Sequence, residues 1–190
     1  MNIGLYFGSF NPIHTGHLII ANHILEHSDL DKIWFVVSPH NPLKESNTLL
    51  NEFDRLHLVE LAIADNTKFR VSNVEYNLPR PSFTIDTLTY LSEKFPLEHF
   101  TVIIGSDSYQ NLPRWKNYEQ ILHYYKIIVY QRPGFKIAEN TPANVSVLTA
   151  PLLEISSTYI RTQIKEGKSI RYLVPRAAEQ YILESGYFKK

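Results

Sequence analysis

Apolar residues follow two rhythms along this chain. Short, almost unbroken apolar runs occur at Ile3–Phe7, Lys32–Ser38, His99–Gly105 and Lys126–Gln131. Their length and composition are those of β-strands, and unbroken runs of this kind are covered on both faces, as in parallel sheets. Lys68–Tyr76 and Asn144–Thr149 read as two further strands. Between these runs the period becomes helical. His17–His27 carries Leu18, Ala21, Asn22 and Leu25 at helical spacing; Asn51–Asp65 carries Phe53, Leu56, Leu58, Val59 and Ala62 on or near one face. Ser82–Lys94 opens with a cap-like Ser and Thr, and Tyr118–Tyr125 is helical with a start near Trp115. Ser157–Glu166 is stopped by Gly167, and Pro175 suits the first position of a helix over Arg176–Glu184.

Alternating strands and helices predict an α/β fold: a doubly wound, mainly parallel, Rossmann-like sheet with right-handed crossovers. The expected organisation is one domain over residues 1–190, with a small helical C-terminal part from about 156 onward. In such sheets the ligand lies at the carboxyl ends of the strands. The turn-rich stretch Ser38–Asn47, directly after the second strand, is expected to overhang that edge.

Charge then narrows the chemistry. Lysine plus arginine equals aspartate plus glutamate at 19 each, so no global field attracts nucleic acid, and an anion must be held by local features. There is no cysteine, which excludes disulfides and thiolate metal sites and is compatible with a reducing cytoplasm. No signal peptide or membrane-length apolar run is visible, and a cytoplasmic protein without nucleic-acid or membrane partners is expected. Tyr187 and Phe188 are open to packing inside the chain or against a second copy, so a homo-oligomer stays open.

Two junctions carry candidate chemistry. At the first, strand one runs into Gly8, Pro12 stiffens the turn, and Gly16 opens the next helix between His14 and His17. Glycine allows close backbone approach, and a helix N-terminus presents free N–H groups to an anion. Each histidine can donate to a phosphate oxygen and can carry charge if protonated. Two incidental histidines in a turn, or a zinc site, are the rival readings; structural zinc prefers cysteine and four ligands. At the second, Ile155–Arg161 (ISSTYIR) offers Ser156 or Ser157 as a helix N-cap, with Arg161 about one turn deeper. An ordinary capped surface helix is the rival there.

In combination these pieces are specific. Gly8–His17 (GSFNPIHTGH) resembles the signature of the adenylyltransferase and cytidylyltransferase superfamily, and ISSTYIR resembles the element of that superfamily that contacts the ATP phosphates. SPHNPLK (Ser38–Lys44), RPSFTIDTL (Arg80–Leu88), the Gly-x-Asp…Leu-Pro-x-Trp segment within Ile103–Leu122, and QRPG (Gln131–Gly134) resemble bacterial nicotinate-nucleotide adenylyltransferases over nearly the full length. Phosphopantetheine adenylyltransferases share the first motif but are shorter and lack the Leu-Pro-x-Trp segment. Three positions depart from the family pattern: Phe7 for glycine, Asn11 for the common aspartate, and Phe83 for the common tyrosine.

The resemblance implies transfer of the adenylyl group of ATP to nicotinate mononucleotide, with release of pyrophosphate. It implies catalytic roles for His14, His17, Lys44 and Arg161. ATP contacts are implied at Gly8, Ser9, Phe10, Gly16, Gly105, Asp107, Ile155, Ser156, Ser157 and Thr158. Contacts to the nicotinate nucleotide are implied at Ser82, Phe83, Thr84, Trp115, Lys116 and Arg132, with Trp115 stacked on the pyridine ring and the Thr84 backbone receiving the carboxylate. Mg²⁺ is expected to ride mainly on the phosphates, with no dedicated protein metal site. The nucleophile is a phosphate monoester whose second pKa is about 6, so no general base is needed. Two alternatives stay open: a sibling enzyme preferring nicotinamide mononucleotide or another phosphate acceptor, and a nucleotide-sensing module without catalysis.

Overall fold

The computed structural model describes residues 1–39, 49–132, 134–138, 140–151 and 154–189. Lys44 and most of the stretch expected to overhang the site fall outside them.

Six parallel strands form one sheet in the order β3-β2-β1-β4-β5-β6. They are β1 Asn2–Gly8, β2 Lys32–Val37, β3 Phe69–Ser72, β4 His99–Gly105, β5 Lys126–Tyr130 and β6 Val145–Leu148. Among the described residues seven α-helices connect and follow them: α1 Thr15–Glu26, α2 Glu52–Ile63, α3 Thr84–Lys94, α4 Ser106–Gln110, α5 Tyr118–Tyr124, α6 Ser157–Lys165 and α7 Arg176–Glu184. The sheet is wholly parallel among the described residues. It is covered on both sides because alternate side chains of each strand point to opposite faces.

Tyr6 of β1, Phe35 and Val37 of β2 and Tyr130 of β5 face one core, filled by Ala21 and Ile24 of α1, Leu58 and Val59 of α2, Ile160 of α6 and Ile182 of α7. Leu5, Trp34, Val36 and Val129 face the other, filled by Ile85 and Leu88 of α3 and Ile121 of α5. The C-terminal helices thus share the core of the sheet. Tyr187 and Phe188 pack within the chain against the same cluster, with the Tyr181 and Tyr187 rings 5.8 Å apart.

Several local expectations need correction. Lys68–Tyr76 is strand only over Phe69–Ser72, then a 3-10 turn over Val74–Asn77 that buries Glu75. Asn22 is exposed and Ile24 takes its place in the core. On α2 the buried stripe is Arg55, Leu58, Val59, Ala62 and Ile63, while Phe53 is 62% exposed. Ser82 does not cap α3; the helix starts at Thr84 with Phe83 in the cap position. The short helix α4 was not anticipated.

Strands on either side of the β1/β4 boundary proceed in opposite directions across the sheet, which opens a crevice there at the carboxyl edge. Gly8, Ser38, Gly105 and the residues after Tyr130 all sit on that edge. At the opposite edge a concavity of about 450 Å³ includes Asp29, Glu98 and Lys126, whose charges are already spent: Lys126 pairs with Asp29 at 3.0 Å and the N-terminal amine with Glu98 at 2.7 Å. Among the described residues no helix is long and apolar enough to cross a membrane.

Candidate active site

The turn after β1 is built around aromatic packing. A Cβ at Gly8 would come within 2.8 Å of the Phe10 ring, so the Phe10 ring occupies the space left by this glycine. Phe10 is buried and has φ of 45°, in the left-handed region that bulky residues rarely adopt. Such a conformation persists only where the surroundings enforce it, and it marks the turn as a constrained element. The Phe10 ring lies edge-on to His17, with centroids 5.1 Å apart.

His14 caps α1 and stacks on His17, ring centroids 3.7 Å apart. The His14 N–H donates to Nδ1 of His17 at 3.2 Å. An accepting Nδ1 carries no proton, so neutral His17 keeps its proton on Nε2 as a donor. Burial holds the His14 imidazole down from the ordinary 6.5 to about 4, with the nearby Arg132 guanidinium adding to the effect. Burial therefore favours the neutral His14 imidazole at physiological pH. Its Nδ1 is buried with no hydrogen-bond partner among the described residues. Gly16 makes that ring position possible: a Cβ there would stand 3.0 Å from Nδ1 and 3.8 Å from the Ile155 carbonyl.

The second junction docks directly on the first turn. The Ser157 hydroxyl donates to the Pro12 carbonyl at 2.8 Å, and the Arg161 guanidinium donates to the Asn11 carbonyl at 2.8 Å and to the Thr158 hydroxyl at 3.2 Å. Ser156 is the N-cap of α6 and accepts from the Tyr159 N–H at 3.1 Å. The N–H groups of Ser157 and Thr158 remain at the helix start, where the helix dipole is positive. Ser157 thus joins the two junctions, a role the sequence did not suggest for its hydroxyl. Partial burial lowers the Arg161 guanidinium from its ordinary range without neutralising it. From the C-terminal side, Thr15 is tied by its N–H to the Leu173 carbonyl at 2.9 Å and by its hydroxyl to the Tyr172 carbonyl at 3.2 Å. Asn11, one of the departures from the family pattern, accepts the Leu50 N–H on its side-chain oxygen at 3.2 Å.

A third group lies across the crevice at the ends of β4 and β5. Gly105 leaves room for Asp107 and Arg132, both of which a Cβ would strike. Arg132 donates to Asp107 Oδ2 at 3.2 Å and to the Tyr130 hydroxyl at 2.7 Å, and its backbone N–H donates to the buried Ser106 hydroxyl at 2.9 Å. Asp107 Oδ1 is buried with no hydrogen-bond partner among the described residues. Arg132, which the family resemblance assigned to the nicotinate nucleotide, also acts electrostatically on His14 of the first turn.

The remaining acceptor residues gather at the start of α3. Lys116 bonds both carboxylate oxygens of Asp86 at 2.9 Å and sits 5.0 Å from the Phe83 ring centroid. Phe83 and Trp115 both pack against the same core cluster. Trp115 is half-buried against the adjoining core. Ser82 turns the other way, donating to the buried Glu75 at 3.2 Å, so its hydroxyl belongs to the support of the loop. Lys44 lies outside the described residues.

Sequence reasoning missed Arg55 and Glu75, two buried charged groups beneath these loops. For Arg55 a signal existed: it stands three, four and seven residues before Leu58, Val59 and Ala62, on the apolar stripe of α2. For Glu75 the strand-like pattern hid the 3-10 turn.

Comparison with known proteins places this arrangement. A family model described as cytidylyltransferase-like matches residues 5–163. A probable nicotinate-nucleotide adenylyltransferase of Cytophaga hutchinsonii is 54% identical, covering 99% of this chain and 98% of that protein. One of the same description from Flavobacterium psychrophilum is 50% identical over the whole of both chains. Among solved structures, Plasmodium falciparum nicotinic acid mononucleotide adenylyltransferase complexed with NaAD superposes with a TM-score of 0.82 at 22% identity, covering 98% of this chain and 97% of that one. At that identity the likeness speaks to the fold.

Proposed function

The chain belongs to the cytidylyltransferase-like family and, within it, to the nicotinate-nucleotide adenylyltransferases, and from that footing we propose how its site transfers the adenylyl group of ATP to nicotinate mononucleotide. One observation carries the mechanism: Ser157 and Arg161 hydrogen-bond the carbonyls of Pro12 and Asn11, which brings two helix N-termini to one place at the carboxyl edge of the sheet.

An oxygen of the acceptor phosphate attacks the α-phosphorus of ATP. A new phosphorus–oxygen bond forms as the bond to the β-phosphate oxygen breaks, and pyrophosphate leaves with the electron pair. The acceptor phosphate is largely dianionic at neutral pH, so the site has no proton to remove. Its task is to bring two polyanions into line and to stabilise charge moving onto the leaving group.

His17 offers its Nε2–H to the phosphates. His14, neutral and buried, stacks behind it and holds its orientation through the backbone bond to Nδ1. Arg161 and the N–H groups of Ser157 and Thr158 receive the outer phosphates, and Arg132 adds positive charge from the β5 side. Lys44 is assigned to the same task by its place in the family motif. Asp107 Oδ1, which lacks a donor, suits a ribose hydroxyl. On the acceptor side the free N–H groups at the start of α3 suit the nicotinate carboxylate, and Trp115 and Phe83 suit the flat pyridine ring. The site's donors are N–H and O–H groups, which suit the anion and leave magnesium to be held by phosphate oxygens. When bound, that ion neutralises phosphate charge.

Pyrophosphate release measured with ATP and Mg²⁺ tests the assignment, offering nicotinate mononucleotide, nicotinamide mononucleotide and phosphopantetheine in turn. The expected result is turnover with the first at least tenfold above the others; equal or better turnover with the amide or with phosphopantetheine overturns it.

A further inference from the structure

Two buried charged side chains take no part in the chemistry above. Arg55 on α2 is completely buried. Its hydrogen-bond acceptors among the described residues are backbone carbonyls: Leu50 at 2.9 Å, Ser9 and Ser38 at 2.7 Å each, and Pro39 at 2.8 Å. Ser9 belongs to the phosphate turn, Ser38 and Pro39 follow β2, and Leu50 precedes α2. Glu75, in the turn after β3, is also buried, and burial pushes its carboxyl above the ordinary range. It accepts from the Thr87 hydroxyl in α3 at 3.0 Å and from the Ser82 hydroxyl at 3.2 Å, and the Ser38 side chain beside it favours its charged form.

The two charges meet at Ser38. Its N–H donates to the Gly8 carbonyl at 3.0 Å, its carbonyl accepts from Arg55 at 2.7 Å, and its side chain lies beside the Glu75 carboxylate, whose charged form it favours. One residue at the end of β2 is thus bolted to the phosphate turn on one side and, through Glu75, to the loop that opens α3 on the other. An apolar side chain on the inner stripe of α2 would fill the same space without desolvating a guanidinium. What the charge adds is direction: a planar fork of five donors ties three separate chain segments into one geometry.

We propose that Arg55 and Glu75 are positioning residues that, through Ser38, fix the distance and angle between the ATP phosphates and the incoming acceptor phosphate. The proposal rests on the adenylyl-transfer reading above. It concerns the relation between two bound substrates, so it predicts loss of turnover with little loss of binding. Small misplacements of reacting groups cost up to about 10²-fold in rate.

The test uses Ser38→Ala, Glu75→Gln and Arg55→Lys, with steady-state pyrophosphate release at varied ATP and varied nicotinate mononucleotide. Far-UV circular dichroism and thermal unfolding are measured on each. Ser38→Ala removes only the hydroxyl and leaves the carbonyl that Arg55 holds, so it folds even if the buried-charge variants do not. The expected result for Ser38→Ala is kcat lowered about tenfold, with both KM values within about threefold of wild type. Glu75→Gln behaves alike, and Arg55→Lys more severely. Unchanged kcat in Ser38→Ala, or a fall in kcat that only tracks a lost folded fraction, overturns the proposal while wild-type turnover leaves the function standing. Inactivity of the wild type with nicotinate mononucleotide would instead sink the adenylyl-transfer reading, and this inference with it.

Discussion

The Arg161 guanidinium donates to the backbone carbonyl of Asn11 at 2.8 Å, a bond between residues 150 apart in sequence. It makes the second helix start a structural partner of the first turn, so one side chain both completes the turn and brings charge to it. The planar fork is what allows this: one nitrogen serves Asn11 and another serves the Thr158 hydroxyl. Lysine cannot reproduce that geometry. Arg161→Lys should lower kcat/KM by about 10²-fold despite keeping the charge, by analogy with the loss of one preorganised donor. Steady-state pyrophosphate release checks it, and activity within threefold of wild type would show that charge alone suffices.

His17→Ala should lower turnover by about 10²-fold or more, because it removes a donor aimed at the phosphates. The imidazole packs beside Phe10 and His14 on the crevice side, so the fold should survive, as judged by circular dichroism. Near-normal turnover would remove His17 from the mechanism.

His14 should make stability depend on pH. Its folded pKa, about 4, lies below the ordinary 6.5, so only the unfolded chain takes up the proton between those values. The contribution is therefore fully present above about pH 6.5 and is lost as pH falls toward 4, a change of roughly 3 kcal/mol at most. Urea unfolding at pH 7, 5.5 and 4 should show wild type losing its advantage over His14→Gln as the pH falls. A difference between the two that stays constant with pH would show that His14 titrates normally in the folded chain.

Gly16→Ala separates stability from activity. Alanine in a helix is favoured over glycine by about 1 kcal/mol. Here its Cβ would press on the His14 ring at 3.0 and 3.1 Å. The expected outcome is an unfolding midpoint within a few degrees of wild type and a fall in kcat/KM of about tenfold. Full activity in this variant would mean that the His14 ring position is not critical.

Lys116→Ala should raise the KM for nicotinate mononucleotide by about tenfold and leave that for ATP nearly unchanged, since one tenfold step is about 1.4 kcal/mol, within reach of one charged contact. Lys116 stands over Phe83 at the start of α3, whereas α6 docks on the first turn through Ser157 and Pro12. A parallel rise in both KM values would contradict the division of the crevice into an ATP side and an acceptor side.

The legible parts of the fold were those with local causes. Short unbroken apolar runs and period-3.6 spacing located the strands and most helices, and GSFNPIHTGH and ISSTYIR marked the two junctions. Illegible parts had causes elsewhere in the chain. Ser82 reads as a helix cap, yet its hydroxyl is taken by Glu75, a residue hidden in a strand-like pattern. Phe53 reads as core, yet α2 turns Arg55 inward, where the Ser9, Ser38 and Pro39 carbonyls from distant segments join that of Leu50 just before the helix.

By itself the sequence determined the alternating α/β order, the edge of the sheet at which both motif-bearing turns lie, and the residue types at those two strand-to-helix junctions, since each rests on short-range spacing and backbone preference. Tertiary structure alone decided that burial favours a neutral His14, that Ser157 and Arg161 clasp the first turn, that Arg132 acts on His14 from the end of β5, and that Arg55 and Glu75 both act on Ser38. Those outcomes depend on desolvation and on which carbonyls and carboxylates arrive from far along the chain, and neither quantity exists until the core has closed.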